Sequence, residues 1–373
     1  MRCSYFEAGT CRSCTRMGEA YPAQVADKEE RLAELLAPFT PAWLPPALSP
    51  ESHFRNKAKL AVGGSVQAPT LGILDRGMHG VDLRECGLYE EPITAALPAL
   101  TEFIGRAQLT PFDVPSGRGE LKNILITAAP SGELLLRFVL RSTESVVRIR
   151  KHLPWLRTQL PNARVISVNL LPQRAALVEG EEEIVLTGED TLPFPLGAVT
   201  LYLTPRSFFQ TNTTIARAMY AQAREWAAGL DGVRTVWDLY CGVGGFALHV
   251  AGPGRRVTGV EISEVAVDSA RRAAAKAGSS AHFFAGDAAR AAGKLGGTPD
   301  LLIVNPPRRG LTDLTEWIAA NPPRWLIYSS CNPTTLAKDL QLLDGFAVHE
   351  ARLMDMFPQT GHMECMVLAE RVD

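Results

Sequence analysis

The stretch "TVWDLYCGVGGFALHV" (235–250) places an apolar strand directly before a glycine-rich turn and an apolar helix. Gly242 and Gly244 stand in that turn, where the absence of a Cβ lets a ligand approach the backbone closely. Glu261 ends the next predicted strand, "RVTGVEI" (256–262), and a carboxylate there accepts hydrogen bonds from ribose hydroxyls. The pattern predicts a site for an adenosine-type nucleotide at the end of a strand.

Strands and helices alternate around this turn. Further strands are predicted at 281–286, 300–305 and 324–330, and helices at 212–228 and 264–277. Such alternation with apolar strands is typical of a doubly wound, Rossmann-like α/β sheet that binds ligands beyond the carboxyl ends of its strands. Two later strands, at about 347–354 and 363–370, are expected to form an antiparallel pair at the sheet edge.

The preceding part of the chain has a different pattern. From His53 to about Leu203, short strands are separated by Gly and Pro and interrupted by two helices, which predicts an α+β domain with a largely antiparallel sheet. A proline-rich connection at 38–50 separates this domain from an amino-terminal helix. We therefore expect three regions, which span 1–50, 51–190 and 191–373.

Composition limits the class of protein. The 373 residues are 46% hydrophobic and 21% charged, with a formal net charge of −2. These values exclude wholesale disorder and argue against a uniformly basic nucleic-acid-binding surface, although a local basic groove remains compatible with them. No apolar run reaches membrane-spanning length, and the start "MRCSYFEAGTC" (1–11) has no apolar signal region. We expect a cytoplasmic protein with no membrane partner.

Three polar residues discriminate among nucleotide ligands. Asp287 ends the third strand, where it can bond an adenine amine, and Asn305 opens "NPPRRG" (305–310) after the fourth. Gln210, in "SFFQTN", precedes the helix that leads into the sheet. The glycine turn also fits a dinucleotide pattern, but a dehydrogenase does not need this set, whereas S-adenosylmethionine enzymes repeatedly use an acidic residue with N-P-P. The combination predicts S-adenosylmethionine as the cofactor.

Four cysteines suggest a metal site. Cys3, Cys11 and Cys14 form C-x7-C-x2-C, and Cys86 is the only other cysteine outside the nucleotide-binding region. Disulfides are rare in a reducing compartment, so clustered cysteines there indicate metal ligands or catalytic groups. Four thiolates complete either a zinc site or a [4Fe–4S] cluster, and the residue types do not separate the two. A zinc site of the close trio with another ligand, with Cys86 merely buried, also stays open.

A lone cysteine follows the fifth strand, in "SSCNPTTLAKDL" (329–340). Free cysteines are more often packing residues than nucleophiles, so Cys331 by itself does not establish catalysis. A basic row occurs in "HFRNKAKLAV" (53–62), at alternate positions that share one face if the segment is a strand. Its members are His53, Arg55, Lys57 and Lys59. The row suits a phosphate backbone, and a solvated sheet face is an equally good interpretation.

Taken in order, these motifs resemble those of the RNA 5-methyluridine methyltransferases over nearly the whole chain. The motifs are the four-cysteine pattern, "HFRNKAK", "FFQTN", "DLYCGVGGF", "NPPRRG", "SSCNPTTLAKD" and "MFPQTGHMECMVL". The resemblance is nearest to the bacterial enzymes that methylate C5 of a uridine in 23S rRNA. It favours those without an extra amino-terminal β-barrel domain for RNA binding, because the cysteine pattern begins at Cys3.

The resemblance implies a role for each site residue. Cys331 is the thiolate that adds to C6 of uracil, and Glu364 is the base that removes the C5 proton. The cofactor is assigned to the two glycines of the turn and to Gln210, Tyr240, Glu261, Asp287 and Asn305. Tyr240 and Asn305 depart from part of the family, in which phenylalanine and aspartate are found. His362, Cys241 and Cys365 are interpreted as structural neighbours.

The resemblance also implies the roles of the regions. Region 1–50 is expected to hold the cluster loop and a helix, 51–190 to bind RNA and contribute Cys86, and 191–373 to form the methyltransferase domain. A [4Fe–4S] cluster is preferred to zinc. The expected partner is 23S rRNA, contacted by the basic row and Arg308, and no obligate protein partner is evident.

Three other functions are each compatible with part of these motifs. Enzymes that methylate adenine N6 use N-P-P but usually follow it with an aromatic residue, whereas Arg308 follows here. A nicotinamide oxidoreductase with a zinc or iron–sulfur module fits the glycine turn. An inactive RNA-binding factor would not need Cys331 and Glu364.

Overall fold

The structure is a computed structural model that describes residues 1–173 and 178–372. Within those ranges it contains ten α-helices, none of which is long and apolar enough to cross a membrane. The helices are α1 (Ser4–Glu7), α2 (Tyr21–Leu36), α3 (Glu91–Arg106), α4 (Val146–Gln159), α5 (Thr213–Gly229), α6 (Gly245–Val250), α7 (Glu264–Ala277), α8 (Ala288–Leu295), α9 (Asp313–Ala320) and α10 (Pro333–Leu342).

The same ranges contain seventeen β-strands. The first ten strands are β1 (Ala42–Trp43), β2 (Lys57–Gly64), β3 (Pro69–Leu74), β4 (Gly80–Asp82), β5 (Leu121–Ala128), β6 (Leu134–Leu140), β7 (Ala163–Leu170), β8 (Glu182–Val185), β9 (Leu192–Leu196) and β10 (Val199–Leu203). The others are β11 (Thr235–Leu239), β12 (Arg256–Glu261), β13 (His282–Ala285), β14 (Leu301–Val304), β15 (Trp325–Ser330), β16 (Phe346–Met354) and β17 (Glu364–Arg371).

The chain divides into two compact units. The first comprises Met1–Arg12 and Ser52–Phe194, and the second comprises Ser13–Glu51 and Pro195–Asp373. The amino-terminal region expected at 1–50 is therefore shared between the two units and does not form a unit of its own. Helix α2 belongs to the second unit, together with the nucleotide-binding sheet.

The first unit is built on a mainly antiparallel sheet. Among the described residues its strand order is β4-β3-β2-β5-β6-β7-β8, and only β6 and β7 pair in parallel. Alternate strand residues such as Leu60, Ile124 and Phe138 are fully buried in one hydrophobic cluster with Phe103 of α3 and Ile149 of α4. One face of the sheet is therefore covered by helices, as its period-two pattern requires. The predicted α+β architecture is confirmed.

The second unit contains the Rossmann-like sheet. Its strand order in the described chain is β1-β16-β17-β15-β14-β11-β12-β13, and β11 to β15 are mutually parallel. Strands β11, β14 and β15 carry runs of buried apolar residues because both faces of the sheet are covered. Helices α2, α8, α9 and α10 share one hydrophobic cluster with these strands. The predicted parallel α/β sheet is confirmed.

The last two strands differ from the prediction in position. Strand β17 is antiparallel to both β15 and β16 and lies between them. The pair is not the edge of the sheet, because the two-residue strand β1 pairs with β16 on its outer side. The short proline-flanked segment around Ala42 carries too little periodicity to be recognised as a strand.

This topology gathers several chain segments at one edge of the sheet. The strand order reverses between β14 and β11, and ligands of such sheets bind beyond the carboxyl ends of the strands at that point. Strand β17 runs in the opposite direction, and Ser330 at the end of β15 pairs with Cys365 near the start of β17. Cys331 and Glu364 therefore emerge at the same edge, although 32 residues lie between them in the sequence.

Candidate active site at the carboxyl edge of the parallel sheet

The glycine turn after β11 has the backbone that only glycine adopts easily. Gly242 has φ 54° and Gly244 has φ 85°, both in the left-handed region. A Cβ on Gly244 would come within 3.0 Å of Phe283 and Ala270, so packing excludes a side chain there. A Cβ on Gly242 would meet nothing within 4 Å. Space therefore remains beside Gly242, on the side where a ligand is predicted.

Glu261 fixes the shape of this turn. Its Oε2 accepts a hydrogen bond from the Gly242 amide at 3.1 Å, and its Oε1 accepts one from the Ser263 amide at 3.0 Å. The carboxylate thus joins the ends of β11 and β12. It is half-buried, which leaves it accessible to ribose hydroxyls.

Asp238, which the sequence analysis did not single out, also lies at this turn. It is fully buried, and its Oδ2 accepts a hydrogen bond from the Ala247 amide at 2.8 Å. Its Oδ1 is buried without a hydrogen-bond partner in the described part of the chain. Burial raises the pKa of Asp238 to about 7. An acidic residue near the end of the strand, four positions before the first glycine of the turn, was the available sequence signal.

Two large apolar side chains are exposed where β12 and β13 end. Ile262 directly follows Glu261 and is 73% exposed, and Phe284 on the neighbouring strand β13 is 47% exposed. Large apolar side chains that are exposed near a carboxylate offer a surface suited to the faces of a purine ring. The prediction of an adenosine-type ligand thereby gains support from residues that the sequence patterns did not indicate.

Tyr240 and Asp287 lie close enough to influence each other. Burial raises the pKa of Tyr240 to about 12, and the Asp287 carboxylate adds to the shift. Tyr240 has φ 67° and donates a hydrogen bond from its hydroxyl to the Leu311 carbonyl at 3.4 Å. Asp287 is exposed and caps α8, because its Oδ1 accepts from the Arg290 amide at 3.0 Å. Its other oxygen is compatible with the predicted adenine contact.

The remaining predicted cofactor residues occupy two places. Asn305 is half-buried directly after β14, at the same edge as the glycine turn. Gln210 is half-buried in the segment that precedes α5, outside the parallel strands. That segment is fixed by Asn212, which donates a hydrogen bond to Ser49 Oγ at 2.7 Å and caps α5. Six of the seven predicted cofactor residues thus follow or end parallel strands, and Gln210 does not.

Cys331 is half-buried directly after β15. Burial raises the pKa of its thiol, and the Glu364 carboxylate raises it further. A hydrogen bond from the Arg308 side chain opposes both effects and lowers the pKa of the thiol. The cysteine therefore has one cationic and one anionic neighbour, a charged environment of the kind found around reactive cysteines.

Arg308 was predicted as an RNA contact, and the structure places its side chain against Cys331. Its backbone carbonyl accepts hydrogen bonds from Asn332 Nδ2 at 3.0 Å and from Thr335 Oγ1 at 3.3 Å. Its Nη2 lies 3.5 Å from His362 Nδ1. The loop after β14, the loop after β15 and the segment before β17 therefore meet at this arginine.

Glu364 is the first residue of β17 and is only 1% exposed. Ser329 Oγ donates a hydrogen bond to its Oε1 at 2.8 Å. Burial raises the pKa of Glu364 to about 7, and the Ser329 hydrogen bond moderates the rise. A carboxylate with this pKa is ionised in part at neutral pH and accepts a proton more readily than an exposed one. Sequence reasoning missed Ser329, although it lies two residues before Cys331.

The segment that leads into Glu364 is held by a buried polar network. Lys28 and Asp355 are both fully buried, and their Nζ and Oδ1 atoms are 2.6 Å apart. The Tyr21 hydroxyl donates to Asp355 Oδ2 at 2.6 Å. Farther along, the Gln359 amide donates to Gln24 Oε1 at 2.9 Å. Helix α2 therefore anchors the beginning and the middle of the connection between β16 and β17.

The four predicted metal ligands are distributed over both units. Cys3, Cys11 and Cys86 belong to the first unit, and Cys14 belongs to the second. Burial raises the pKa of Cys86, and the nearby Cys3 and Cys11 raise it further. Across residues 1–173 and 178–372, no group of three or more His, Cys, Asp or Glu side chains is arranged to hold a metal ion. The four-cysteine site stays a prediction.

The basic row departs from the predicted strand. Strand β2 begins only at Lys57, because His53 has φ 52° in the left-handed region, outside the extended range. The His53 amide donates to the Gly87 carbonyl at 2.8 Å, and its Nδ1 lies 3.0 Å from the Tyr89 carbonyl. The expectation of one strand through all four residues is wrong. The stretch instead pairs with the segment that follows Cys86.

The four basic side chains are not equivalent. His53 and Lys59 are exposed, while Arg55 and Lys57 are half-buried. Burial lowers the pKa of Lys57 to about 8, and the positive charge of Lys59 adds to this effect. Arg55 lies near Cys86 and lowers the pKa of its thiol. Part of the basic row therefore lies beside one of the predicted metal ligands.

Comparisons with known proteins are consistent over the whole chain. Residues 298–372 match the family described as tRNA (Uracil-5-)-methyltransferase, and residues 236–306 match a family described as Methyltransferase domain. The chain is 46% identical to the 23S rRNA (uracil(747)-C(5))-methyltransferase RlmC of Yersinia pseudotuberculosis serotype I (strain IP32953), with 99% of both chains covered. The RlmC of Yersinia pestis (strain Pestoides F) is 45% identical over the same shares.

A solved structure agrees with these relatives. The tRNA (uracil-54, C5)-methyltransferase of Pyrococcus abyssi, in complex with S-adenosyl-L-homocysteine, is 25% identical to this chain. Its TM-score is 0.79, and the match covers 95% of this chain and 85% of that one. With 46% identity to a curated relative over nearly its full length, this chain belongs to the RNA 5-methyluridine methyltransferase family.

Proposed function

We propose that this chain methylates C5 of a uridine in 23S rRNA, with S-adenosylmethionine as the methyl donor. The observation that carries the proposal is that the Cys331 thiol and the Glu364 carboxylate emerge at one sheet edge, where the carboxylate raises the pKa of the thiol. Relatives at 45–46% identity are named for this reaction at uracil 747. The equivalent uridine is therefore the first target to test.

The first step is the addition of Cys331 to the base. The thiolate forms a bond to C6 of uracil, and the electron pair of the C5=C6 bond moves toward the C4 carbonyl as an enolate. C5 then becomes nucleophilic. The Arg308 hydrogen bond favours the thiolate against the burial that opposes it. In this proposal Arg308 thus stabilises the thiolate form of Cys331, in addition to any contact with RNA.

S-adenosylmethionine, when bound, supplies the methyl group that C5 takes up. The residues present fit this ligand: Gly242 leaves open space, Asp238 has a buried oxygen with no hydrogen-bond partner among the described residues, and Ile262 and Phe284 are exposed. The proposed contacts are those assigned from the sequence, namely Gln210, Tyr240, Gly242, Gly244, Glu261, Asp287 and Asn305. We add Asp238 to them.

The last step regenerates the free enzyme. Glu364 takes the proton from C5, the electron pair re-forms the C5=C6 bond, and the bond between C6 and Cys331 Sγ breaks to release the thiolate. Only the ionised carboxylate accepts the proton. With the pKa of Glu364 raised to about 7, the base is effective at neutral pH and loses activity as the pH falls below that value.

We further propose that Cys3, Cys11, Cys14 and Cys86 hold a [4Fe–4S] cluster with a folding role. The thiols of Cys3, Cys11 and Cys86 belong to one unit, and the first two raise the pKa of the third. A donor set of four cysteines suits zinc as well. Anaerobically purified protein is expected to be brown, with an absorption band that disappears on cluster removal. A colourless protein that contains zinc would contradict the iron–sulfur assignment.

The proposed RNA surface follows from charge and position. His53 and Lys59 are exposed, and the backbone of 53–55 pairs with the segment after Cys86. These cations are suited to phosphate oxygens of 23S rRNA. Because a stacked base hides C6 from a thiolate, we expect the target uridine to be turned out of its stack, as in other enzymes that modify a base.

The decisive experiment traps the covalent intermediate. Protein and S-adenosylmethionine are incubated with a 23S rRNA fragment in which uridine is replaced by 5-fluorouridine. Fluorine at C5 cannot leave as a proton, so the methylated adduct accumulates and migrates as a protein–RNA complex on a denaturing gel. Wild-type protein is expected to form the complex, and Cys331→Ala is expected to form none.

A second cysteine provides the matched control. Cys365 is fully buried and, as the neighbour of Glu364 on a strand, projects to the opposite face of the sheet. Cys365→Ala is expected to form the adduct as the wild type does. An adduct that persists in Cys331→Ala, or a wild-type protein that forms none with any fragment, would show that the proposed mechanism is wrong.

A further inference from the structure

The contact between Ser329 and Glu364 has no counterpart in the roles assigned so far. Ser329 Oγ donates to Glu364 Oε1 at 2.8 Å, and the two residues are 0% and 1% exposed. Ser329 lies on β15, two residues before Cys331, and Glu364 begins the antiparallel neighbour β17. A single hydroxyl therefore connects the strand that presents the nucleophile to the residue proposed as the base.

The position would ordinarily suit an apolar residue. Trp325, Leu326, Ile327 and Tyr328, the four preceding residues of β15, are all buried. A buried carboxylate is unfavourable unless a donor compensates for lost hydration, and an apolar side chain at 329 would supply none. The hydroxyl is the feature that makes an ionised carboxylate tolerable at this depth.

We propose that Ser329 is a positioning residue for proton removal, which holds one oxygen of Glu364 and directs the other toward C5 of the methylated uracil. This inference rests on the proposed function of the same site. In the step concerned, Glu364 gains the C5 proton, the C5=C6 bond re-forms and the Cys331 thiolate leaves. Ser329 keeps its own proton throughout and touches none of the reacting atoms.

The titratable groups that are electrostatically coupled to Glu364 allow the inference to be tested by pH. They are Tyr220 on α5, Cys331 after β15 and Cys365 on β17, and the charge of Glu364 raises the pKa of each. None of these groups is a cation. Burial raises the pKa of Glu364, and the Ser329 hydrogen bond lowers it. Loss of this donor therefore raises the pKa further, so that a higher pH is needed to ionise the base.

The experiment compares two substitutions of Ser329. Ser329→Ala removes the donor and leaves a small space, whereas Ser329→Cys keeps the volume and supplies only a weak donor. Both are expected to resolve the methylated adduct on ordinary uridine RNA about 10–100-fold more slowly than the wild type at pH near 7. The pH at which resolution reaches half its maximal rate is expected to rise by about one unit.

Adduct formation on 5-fluorouridine RNA separates this inference from the proposed function. That reaction needs Cys331 but no proton removal, so the Ser329 variants are expected to form the adduct at the wild-type rate. Ser269→Ala is the matched control, since Ser269 is also buried in the same unit and donates to the Val265 carbonyl of its own helix, at 3.1 Å. It is expected to behave as the wild type.

Each result has one interpretation. If the wild type forms no adduct, the proposed function fails and the role of Ser329 fails with it. If the adduct forms but Ser329→Ala resolves it at the wild-type rate and pH dependence, only the positioning role is overturned. If Ser329→Cys restores the wild-type rate while Ser329→Ala does not, the residue fills volume, and the positioning role is again overturned.

Discussion

The carboxyl edge of the second unit's sheet and the cysteine-containing segments of the first unit hold their polar side chains differently. At the sheet edge, the candidate residues follow or begin regular strands, and hydrogen bonds within the protein fix several of them. Gly242 is held by Glu261, Glu364 by Ser329, and the loop of Arg308 by Asn332. Contacts between protein residues therefore hold these parts of the site in place.

Around its cysteines, the first unit is held by the backbone hydrogen bonds of short turns, such as the bond from the Cys86 amide to the Leu83 carbonyl at 3.0 Å. Cys3 and Cys11 flank the four-residue helix α1, and Cys86 lies in a turn between β4 and α3. Tyr5 is one link between these segments, since its hydroxyl accepts a hydrogen bond from the Glu85 amide at 3.2 Å. The three thiols are half-buried. Such segments gain most from a group that binds several thiolates together.

The comparison indicates that the two regions respond differently to substitution. At the sheet edge, loss of one side chain removes a chemical function from a scaffold that stays folded. If the cysteines hold the proposed cluster, loss of one of them should release a segment of chain. Reaction rates should therefore report on substitutions at the sheet edge, and stability or absorption spectra should report on substitutions of the cysteines.

The largest expected effect at the sheet edge, apart from loss of Cys331 itself, comes from Glu364→Gln. An amide cannot take the C5 proton, so turnover should fall by about 10²–10⁴-fold. Methyl transfer should still occur, and the methylated adduct should accumulate on ordinary uridine RNA. A denaturing gel with labelled methyl donor measures both quantities, because the label migrates with the protein when the adduct persists.

The pH dependence of the wild type provides the control for Glu364. With a pKa raised to about 7, the carboxylate is protonated at lower pH, so adduct resolution should slow tenfold for each unit below that value. In Glu364→Gln this slowing at low pH should be absent. If the variant turns over normally, or if its resolution slows at low pH as in the wild type, the base is another residue.

The sequence predicted the sheet edge well because regular strands convert sequence position into spatial position. An apolar run followed by a glycine turn, N-P-P or Ser-Ser-Cys marks the end of a parallel strand, and such ends meet at one edge. Membership in the family then excludes the nicotinamide oxidoreductase alternative. Arg308 was expected at RNA because its contact with Cys331 depends on two loops, whose conformations have no periodic signal.

The basic row and the buried network show where sequence patterns fail. Alternate basic residues predict a strand face, but the left-handed backbone at His53 ends that regularity, and no residue type forces it. Lys28 lies on an otherwise ordinary amphipathic helix, and its burial depends on Asp355, which is 327 residues away in the sequence. Long-range pairing of two charges has no local signature.

The next largest effect is expected from Lys28→Met, which breaks the buried pair with Asp355. The remaining carboxylate would be buried without its cation, so the free energy of unfolding should fall by about 3–5 kcal/mol. Denaturant-induced unfolding monitored by circular dichroism measures the loss. The result tests whether the segment before Glu364 is anchored as firmly as the strands beside it.

Two variants sharpen the interpretation of Lys28. Lys276→Met, on the exposed surface of α7, should change the unfolding free energy by less than about 0.5 kcal/mol. The double variant Lys28→Met with Asp355→Leu should recover part of the loss, because no charge is then left unpaired. A single variant as stable as the wild type would show that the pair contributes little.

A smaller effect is expected from Arg308→Met on the reactivity of Cys331. Without the hydrogen bond that lowers its pKa, the thiol should be alkylated by iodoacetamide about tenfold more slowly at neutral pH. The midpoint of the reaction should move to higher pH. Peptide mass spectrometry follows Cys331 separately from the other cysteines. Arg309→Met removes the adjacent exposed arginine and should leave the rate unchanged.

The smallest effect concerns the basic row of the first unit. Lys57→Ala and Lys59→Ala should each weaken RNA binding only a few-fold and reduce the slope of log affinity against log salt by about 0.7–0.9 for each phosphate that the protein no longer neutralises. The two lysines differ in burial. Because burial lowers the pKa of Lys57 to about 8, its ammonium is charged at lower pH and becomes neutral as the pH rises through that value.

A pH series therefore separates the half-buried lysine from the exposed basic surface. The affinity difference between the wild type and Lys57→Ala should be present near pH 7 and should largely vanish near pH 9, where the wild-type lysine has lost its charge. Filter binding with a 23S rRNA fragment measures both values. A difference that persists at the higher pH would mean that Lys57 contributes through packing, because its charge would then have no part in RNA binding.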